Sequence, residues 1–208
     1  MANTSSPFGF RSFGHRDGSA PTAGLERVFI NSSDTNTYFT GDLVMISSAN
    51  AGAIGIYPGS TSALMPAGVF QGCEFYSPSV ARVVWSSYFP GNLGTSSSPV
   101  TAYIISDPEM QFVVQCSSGP LTQASVGSNA NVLTAQSSLG NTTTGISAMV
   151  LASTTVGTGS SMPFVVVDLL SNFTPPGVNG VDNTTAYNCV VVAPNQWRRK
   201  AGVTGTSS

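Results

Sequence analysis

The side chains able to do covalent, acid–base or metal chemistry are few and scattered in this chain. His15 is the single histidine. It stands between Gly14 and Arg16 in a Gly- and Ser-rich stretch, where nothing packed would fix a catalytic imidazole, so a Ser-His-Asp or Cys-His nucleophile is not expected. Cys73, Cys116 and Cys189 lack metal-ligand spacing, and with one histidine they cannot complete a zinc site. An odd cysteine count, with no apolar h-region in the opening MANTSSPFGFRSFGHRDGS, reads as reduced, packed thiols in a chain made in a cytoplasm. Asp107 and Glu109 bracket Pro108; at that spacing they suit capping of backbone amides better than the two-sided carboxylate pair of a glycosidase. Asp34 and Asp42 sit in oxygen-rich loops, but no run of acids resembles a calcium loop. Phosphate-cradling and dinucleotide glycine motifs are absent, and Gly52-Ala53-Ile54-Gly55 is a turn at a strand start. The expectation is a non-enzymatic chain with no catalytic, cofactor-binding or metal residues.

The residues suited to binding lie at the two ends. Only 8% of the 208 residues are charged, against about 25% in an ordinary soluble domain. Arg11, Arg16, Arg27, Arg198, Arg199 and Lys200 leave Arg82 as the one cation between Val28 and Trp197, a stretch with a formal charge of −6. So little charge suits an assembly better than a free monomer. Phe8, Phe10 and Phe13 add aromatic anchors beside Arg11 and Arg16, which predicts an extended N-terminal arm over 1–24 that orders on a neighbour and can be removed without unfolding the body. Trp197 before Arg198-Arg199-Lys200 predicts a basic C-terminal tail over 194–208, anchored on an acidic protein surface with the indole as its buried hot spot. Three cations are too few for specific nucleic-acid binding over an acidic middle. No apolar run reaches the ~18–20 residues that cross a membrane.

Between the ends the pattern is β. Runs over Glu26–Ile30, Asp42–Ser47, Ile54–Tyr57, Gly68–Tyr76, Val80–Ser86, Ala102–Ser106, Gln111–Cys116, Ala148–Ala152, Phe164–Leu170 and Tyr187–Val192 are rich in branched and aromatic residues and separated by Gly, Pro, Asn and Ser. That spacing points to an all-β sandwich or barrel. Asp107-Pro108 predicts a hairpin over Ala102–Cys116, and Asn129–Ser138 is a weak candidate for a turn or two of helix. The charge-free stretch 117–159 reads as surface loops of the monomer or as a flat face that meets other subunits, and its low charge favours the second. Tyr57, Tyr76, Trp85 and Tyr88 could stack on sugars, which makes a carbohydrate-binding β-sandwich of a head or tail fibre the alternative reading; Tyr76 and Trp85 fit a core role better.

Several blocks resemble virion proteins of tailed bacteriophages: Gly68–Ser77 (GVFQGCEFYS), Arg82–Gly91 (RVVWSSYFPG), Val100–Pro108 (VTAYIISDP), Gln111–Gln115 (QFVVQ), Asn141–Ser147 (NTTTGIS), Ala186–Val192 (AYNCVVV) and the opening Pro7-Phe-Gly-Phe-Arg-x-Phe-Gly-His. The resemblance implies a jelly-roll-like β-sandwich over 25–193 and the role of a capsid cement or decoration protein on the outer surface of the virion. It further implies the major capsid protein and further copies of the same chain as partners, a trimer being favoured over a dimer. It carries no catalytic residues to transfer.

Overall fold

The computed structural model describes residues 2–19, 24–47, 52–59, 64–93, 100–133 and 140–206. Thirteen short strands run through them: β1 (Arg11–His15), β2 (Leu25–Ile30), β3 (Tyr38–Phe39), β4 (Leu43–Ile46), β5 (Ile54–Ile56), β6 (Pro66–Ser77), β7 (Arg82–Ser86), β8 (Tyr88–Phe89), β9 (Val100–Ile105), β10 (Met110–Gln115), β11 (Asn129–Ala130), β12 (Phe164–Leu169) and β13 (Cys189–Pro194). One sheet has the order β1-β10-β13-β12-β11; the second has β2-β9-β6-β4-β5, with β7 also paired to β6. All strand pairings in both sheets are antiparallel. The architecture is an all-β sandwich.

Alternation along each strand decides what is buried. Met110, Phe112 and Val114 of β10, Phe164 and Val166 of β12, and Val190 and Val192 of β13 meet Leu43, Val69 and Ile105 of the second sheet in a core between the sheets. Their neighbours Val44, Phe70 and Ile104 point the other way, into a second core with Tyr38 and Phe89. The small β3–β8 ladder covers that far face, with Tyr38 and Phe89 ring centroids 5.9 Å apart. The six-stranded sheet is thus the middle layer of three over part of its length.

Most sequence-predicted strands form within a residue or two of their expected limits, but the hairpin at Asp107-Pro108 does not. β9 belongs to one sheet and β10 to the other, so this turn is an arch across the sandwich. Ile105 and Met110 flank it, and both enter the core between the sheets. The pairing decides it, since β9 pairs with β2 and β6 while β10 pairs with β1 and β13. The segment 148–152 makes only isolated bridges at Leu151, parallel to Cys116 and antiparallel to Val132. Residues 129–133 are extended, and the remainder of the candidate helical turn lies outside the described residues. Leu121, Val132, Met149 and Leu151 are buried, so the stretch 117–159 contributes to this chain's own core rather than forming only a flat outer face.

The two ends depart most from expectation. Phe10 is completely buried, stacked on Phe164 (4.6 Å between centroids, 13° between planes) and edge-on to Phe112 at 6.5 Å. The backbone reaches that position through Gly9, at φ +70°; a Cβ there would lie 2.6 Å from the Cβ of Ser147 and 2.7 Å from the carbonyl oxygen of Gly41. Immediately afterwards β1 pairs with β10 as the edge of the five-stranded sheet. Ahead of it, Asn3 donates to the Asp182 carbonyl (2.6 Å) and accepts from the Gly180 amide (2.9 Å), while the buried Gln115 accepts from Ser6 N–H (2.9 Å) and donates to the Thr4 carbonyl (3.1 Å). At the other end Trp197 is buried between Phe112 (6.0 Å) and Phe164 (5.9 Å). The chain after it is held by Asn129 Nδ2 donating to the Val203 carbonyl (2.7 Å) and by Thr206 N–H donating to the Gly127 carbonyl (3.0 Å). Boundaries at 24/25 and 193/194 therefore do not separate arms from a body. Phe10 and Trp197, expected to seek a neighbour, find an apolar surface within their own chain first.

Candidate interaction surfaces

The residues expected to form contacts divide into buried anchors and surface groups. Phe10 and Trp197 are core residues and offer nothing to a partner. Phe8 is half-buried beneath the Arg11 guanidinium, which lies 5.1 Å from the ring centroid. Both line a hollow of about 470 Å³ with Asn141, Thr144 and Ile146. Phe13, 39% exposed, meets Phe173, 55% exposed, at 5.3 Å. The same loop carries exposed Val178, which walls a hollow of about 280 Å³ with Thr174, Pro176 and Val181.

The basic run does not act as one patch. Arg198 and Arg199 face Glu26 at 3.6 and 3.2 Å, and Lys200 faces Glu109 at 3.3 Å. Arg16 donates its backbone N–H to the Glu109 carbonyl (2.9 Å), and its side chain lines a hollow of about 190 Å³ with Lys200. Both basic ends thus collect near acids of the body, which offsets the local positive charge. Half-exposed pairs of this kind contribute at most about 1 kcal/mol each.

His15 is held rather than free. Nδ1 lies 2.6 Å from Asp17 Oδ1 and Nε2 lies 3.1 Å from Asp107 Oδ2. The Asp17 hydrogen bond, together with Asp107, raises the imidazole pKa against the opposing effect of burial. Asp17, in turn, is lowered to about 2 by hydrogen bonds from Ser19 and from His15. This bracket pins the end of β1 to the arch at Asp107-Pro108. The expected amide-capping role of the arch is present too, since Asp107 Oδ1 accepts from Glu109 N–H at 2.9 Å.

The titratable groups that are buried serve packing. All three cysteines are buried free thiols; burial pushes Cys73 to about 12 and Cys189 to about 11, which removes the thiolate that reactivity needs. Asp42 is completely buried, accepting from Phe39 N–H (2.8 Å) and from Ser147 Oγ (2.6 Å). Burial raises its carboxyl to about 7 against those two hydrogen bonds. No group of three or more His, Cys, Asp or Glu arranged to hold a metal occurs among the described residues. No helix among them is long and apolar enough to cross a membrane.

The surface that sequence reasoning missed lies on the six-stranded sheet. Trp85 is 54% exposed and Tyr76 38% exposed, although their strand patterns suggested core, while Tyr57 is buried. Cross-strand register places Phe29 (61% exposed) opposite Thr101, Thr101 opposite Glu74, and Glu74 opposite Trp85. In the adjoining row Arg27 faces Tyr103, and Tyr103 faces Gly72. Tyr103 lies 5.1 Å from the indole of Trp85 and 5.7 Å from the Arg27 guanidinium. Ile105, on the same face of β9, enters the core between the sheets. The shelf therefore continues the face that the five-stranded sheet covers farther along. A signal for it was present: Glu74 and Arg27 are charged, and in strands their i±2 neighbours Tyr76 and Phe29 must share their outward face.

Comparison with known protein families, with characterised proteins and with solved structures finds no match to this chain.

Proposed function

We propose that the chain is a non-enzymatic structural protein, a capsid cement or decoration protein. In this reading it binds the outside of a phage head and bridges neighbouring major capsid protein subunits, and its own copies cluster on the shell, as a trimer in the simplest arrangement. The observation that carries the reading is the exposed pair Phe13–Phe173, with Val178, on a protein with so few charges. Exposed aromatic pairs on a rigid frame are the usual centre of a protein interface, whose core is depleted in charge. A protein that binds only the expanded shell stabilises it by its binding free energy, repeated over every copy. The resemblance of the strand blocks to tailed-phage virion proteins, and a jelly-roll course compatible with the two sheets, support the same reading.

The test is the copy number of this chain in purified particles, measured against the major shell protein by mass spectrometry. A ratio of one, or a simple fraction of one, is expected, and heads carrying Phe13→Ser with Phe173→Ser should lose the protein on washing. Absence from particles rejects the reading.

A further inference from the structure

We propose that the aromatic shelf of the six-stranded sheet is a glycan-binding site, separate from the surface that holds the shell. Three features favour a sugar over a protein partner. First, the indole of Trp85 has a built seat. Gly72, at φ +154°, lies beneath it, and a Cβ there would stand 2.5 Å from Cζ2 and 3.0 Å from Cη2 of the ring. A ring that merely happened to be exposed would need no such clearance. The seat fixes the indole against Tyr103, so an incoming ligand pays little to order it. Second, aromatic and polar groups alternate across the strands. Neighbouring strands are about 4.8 Å apart, so Arg27, Tyr103 and the indole form a stripe long enough for a short oligosaccharide. Sugar C–H faces lie on rings, and sugar hydroxyls need donors and acceptors at their edges.

Third, Glu74 sits at the centre of the shelf, directly between Thr101 and Trp85 in register, and makes no ion pair among the described residues. An apolar protein face would bury this carboxylate without a partner, which is costly. Sugar hydroxyls instead donate to a carboxylate and accept from the Arg27 guanidinium, keeping both groups hydrogen-bonded. The inference does not depend on the cement reading, which rests on the other sheet.

The chain has two tryptophans. Trp197 is buried and Trp85 exposed, so a ligand-induced change in emission reports the shelf. The full chain is tested against immobilised oligomers of glucose, galactose, mannose and N-acetylglucosamine, and the strongest binder is then titrated in solution by fluorescence. Saturable binding is expected, weakened at least tenfold by Trp85→Ala and by Tyr103→Ala, with the melting temperature unchanged. Trp85→Phe should recover part of it. Absence of saturable binding to every oligomer overturns the proposal, as does full affinity in Trp85→Ala. So does a wild-type oligomer that Trp85→Ala dissociates in sedimentation, since the shelf would then be an interface between copies. Retention on heads, read with the Phe13 and Phe173 changes, is a separate measurement that none of these outcomes alters.

Discussion

Replacing Phe10 by alanine should unfold this protein far more readily than replacing Phe8, two residues away. The Phe10 ring is wholly removed from solvent, stacked at 4.6 Å on Phe164 and set edge-on to Phe112 at 6.5 Å. Truncating a phenylalanine in such surroundings costs about 3–5 kcal/mol, a large share of the ~5–15 kcal/mol that holds a domain together. At this chain length each kcal/mol moves the melting temperature by ~2–4 °C, so a fall of roughly 6–20 °C is expected. Phe8 is half-buried, and its clearest partner is the exposed Arg11 at 5.1 Å, a contact that contributes about 0.5–1 kcal/mol. Its removal should cost ~1 kcal/mol. Urea titrations at one pH, followed by far-UV circular dichroism, give both values on the same scale. Equal midpoints for Phe10→Ala and Phe8→Ala would refute the claim that the N-terminal segment completes the core, and would restore a detachable arm.

Two further outcomes follow from the same geometry. Asp42 rises from 3.8 to about 7 in the folded protein, so between those values the folded state holds a proton that the unfolded chain has released. Stability from this group is therefore complete below about pH 4 and is lost as the pH climbs through about 7. Asp42→Asn keeps an acceptor for Phe39 N–H and a donor for Ser147 Oγ; its urea midpoint should fall less over that window than the wild type's, and parallel curves would contradict the burial argument. At the other end, Trp197→Ala should cost about 3–5 kcal/mol, whereas Arg198→Ala and Arg199→Ala, whose pairs with Glu26 are half-exposed, should each cost less than ~1 kcal/mol. Thermal melts of the three variants decide the order.

The strands were legible because alternation and turn residues act locally. The runs at 26–30, 68–76 and 164–170 appear as β2, β6 and β12 with little shift. What local pattern does not carry is partner choice. Asp107-Pro108 marks a tight turn equally well for a hairpin or an arch, and only the non-local pairing of β9 with β2 and β6, and of β10 with β1 and β13, selects the arch. Phe10 and Trp197 were hidden for a similar reason. Phe10 sits between Phe8 and Phe13 in a Gly- and Ser-rich stretch and Trp197 precedes a basic run, so no periodicity marks either as core. The exposed shelf failed in the opposite sense, because aromatic residues in a strand suggest burial until the charged neighbours at i±2 are weighed. Glu74 and Arg27 mark the outward stretch of that face, which farther along β9 turns inward under the five-stranded sheet at Ile105.

The burial of both ends changes how any partner must be met. An arm that orders only on binding gives up a few kcal/mol of its contact energy to that ordering. Here Phe10 and Trp197 meet that cost once, during folding, and share Phe112 and Phe164 as common neighbours in one core. The surfaces they leave behind are fixed. Phe13 projects from β1 beside the point where Phe10 is anchored, and Arg198 to Lys200 follow directly on Trp197, so each surface group inherits the rigidity of a buried ring next to it. The Phe13–Phe173 pair and the Trp85 shelf also belong to different sheets, with a packed aromatic core between those sheets. In the proposed reading, shell and glycan are then held at once at a fixed separation. A chain with flexible arms could reach farther, but it could not hold that separation.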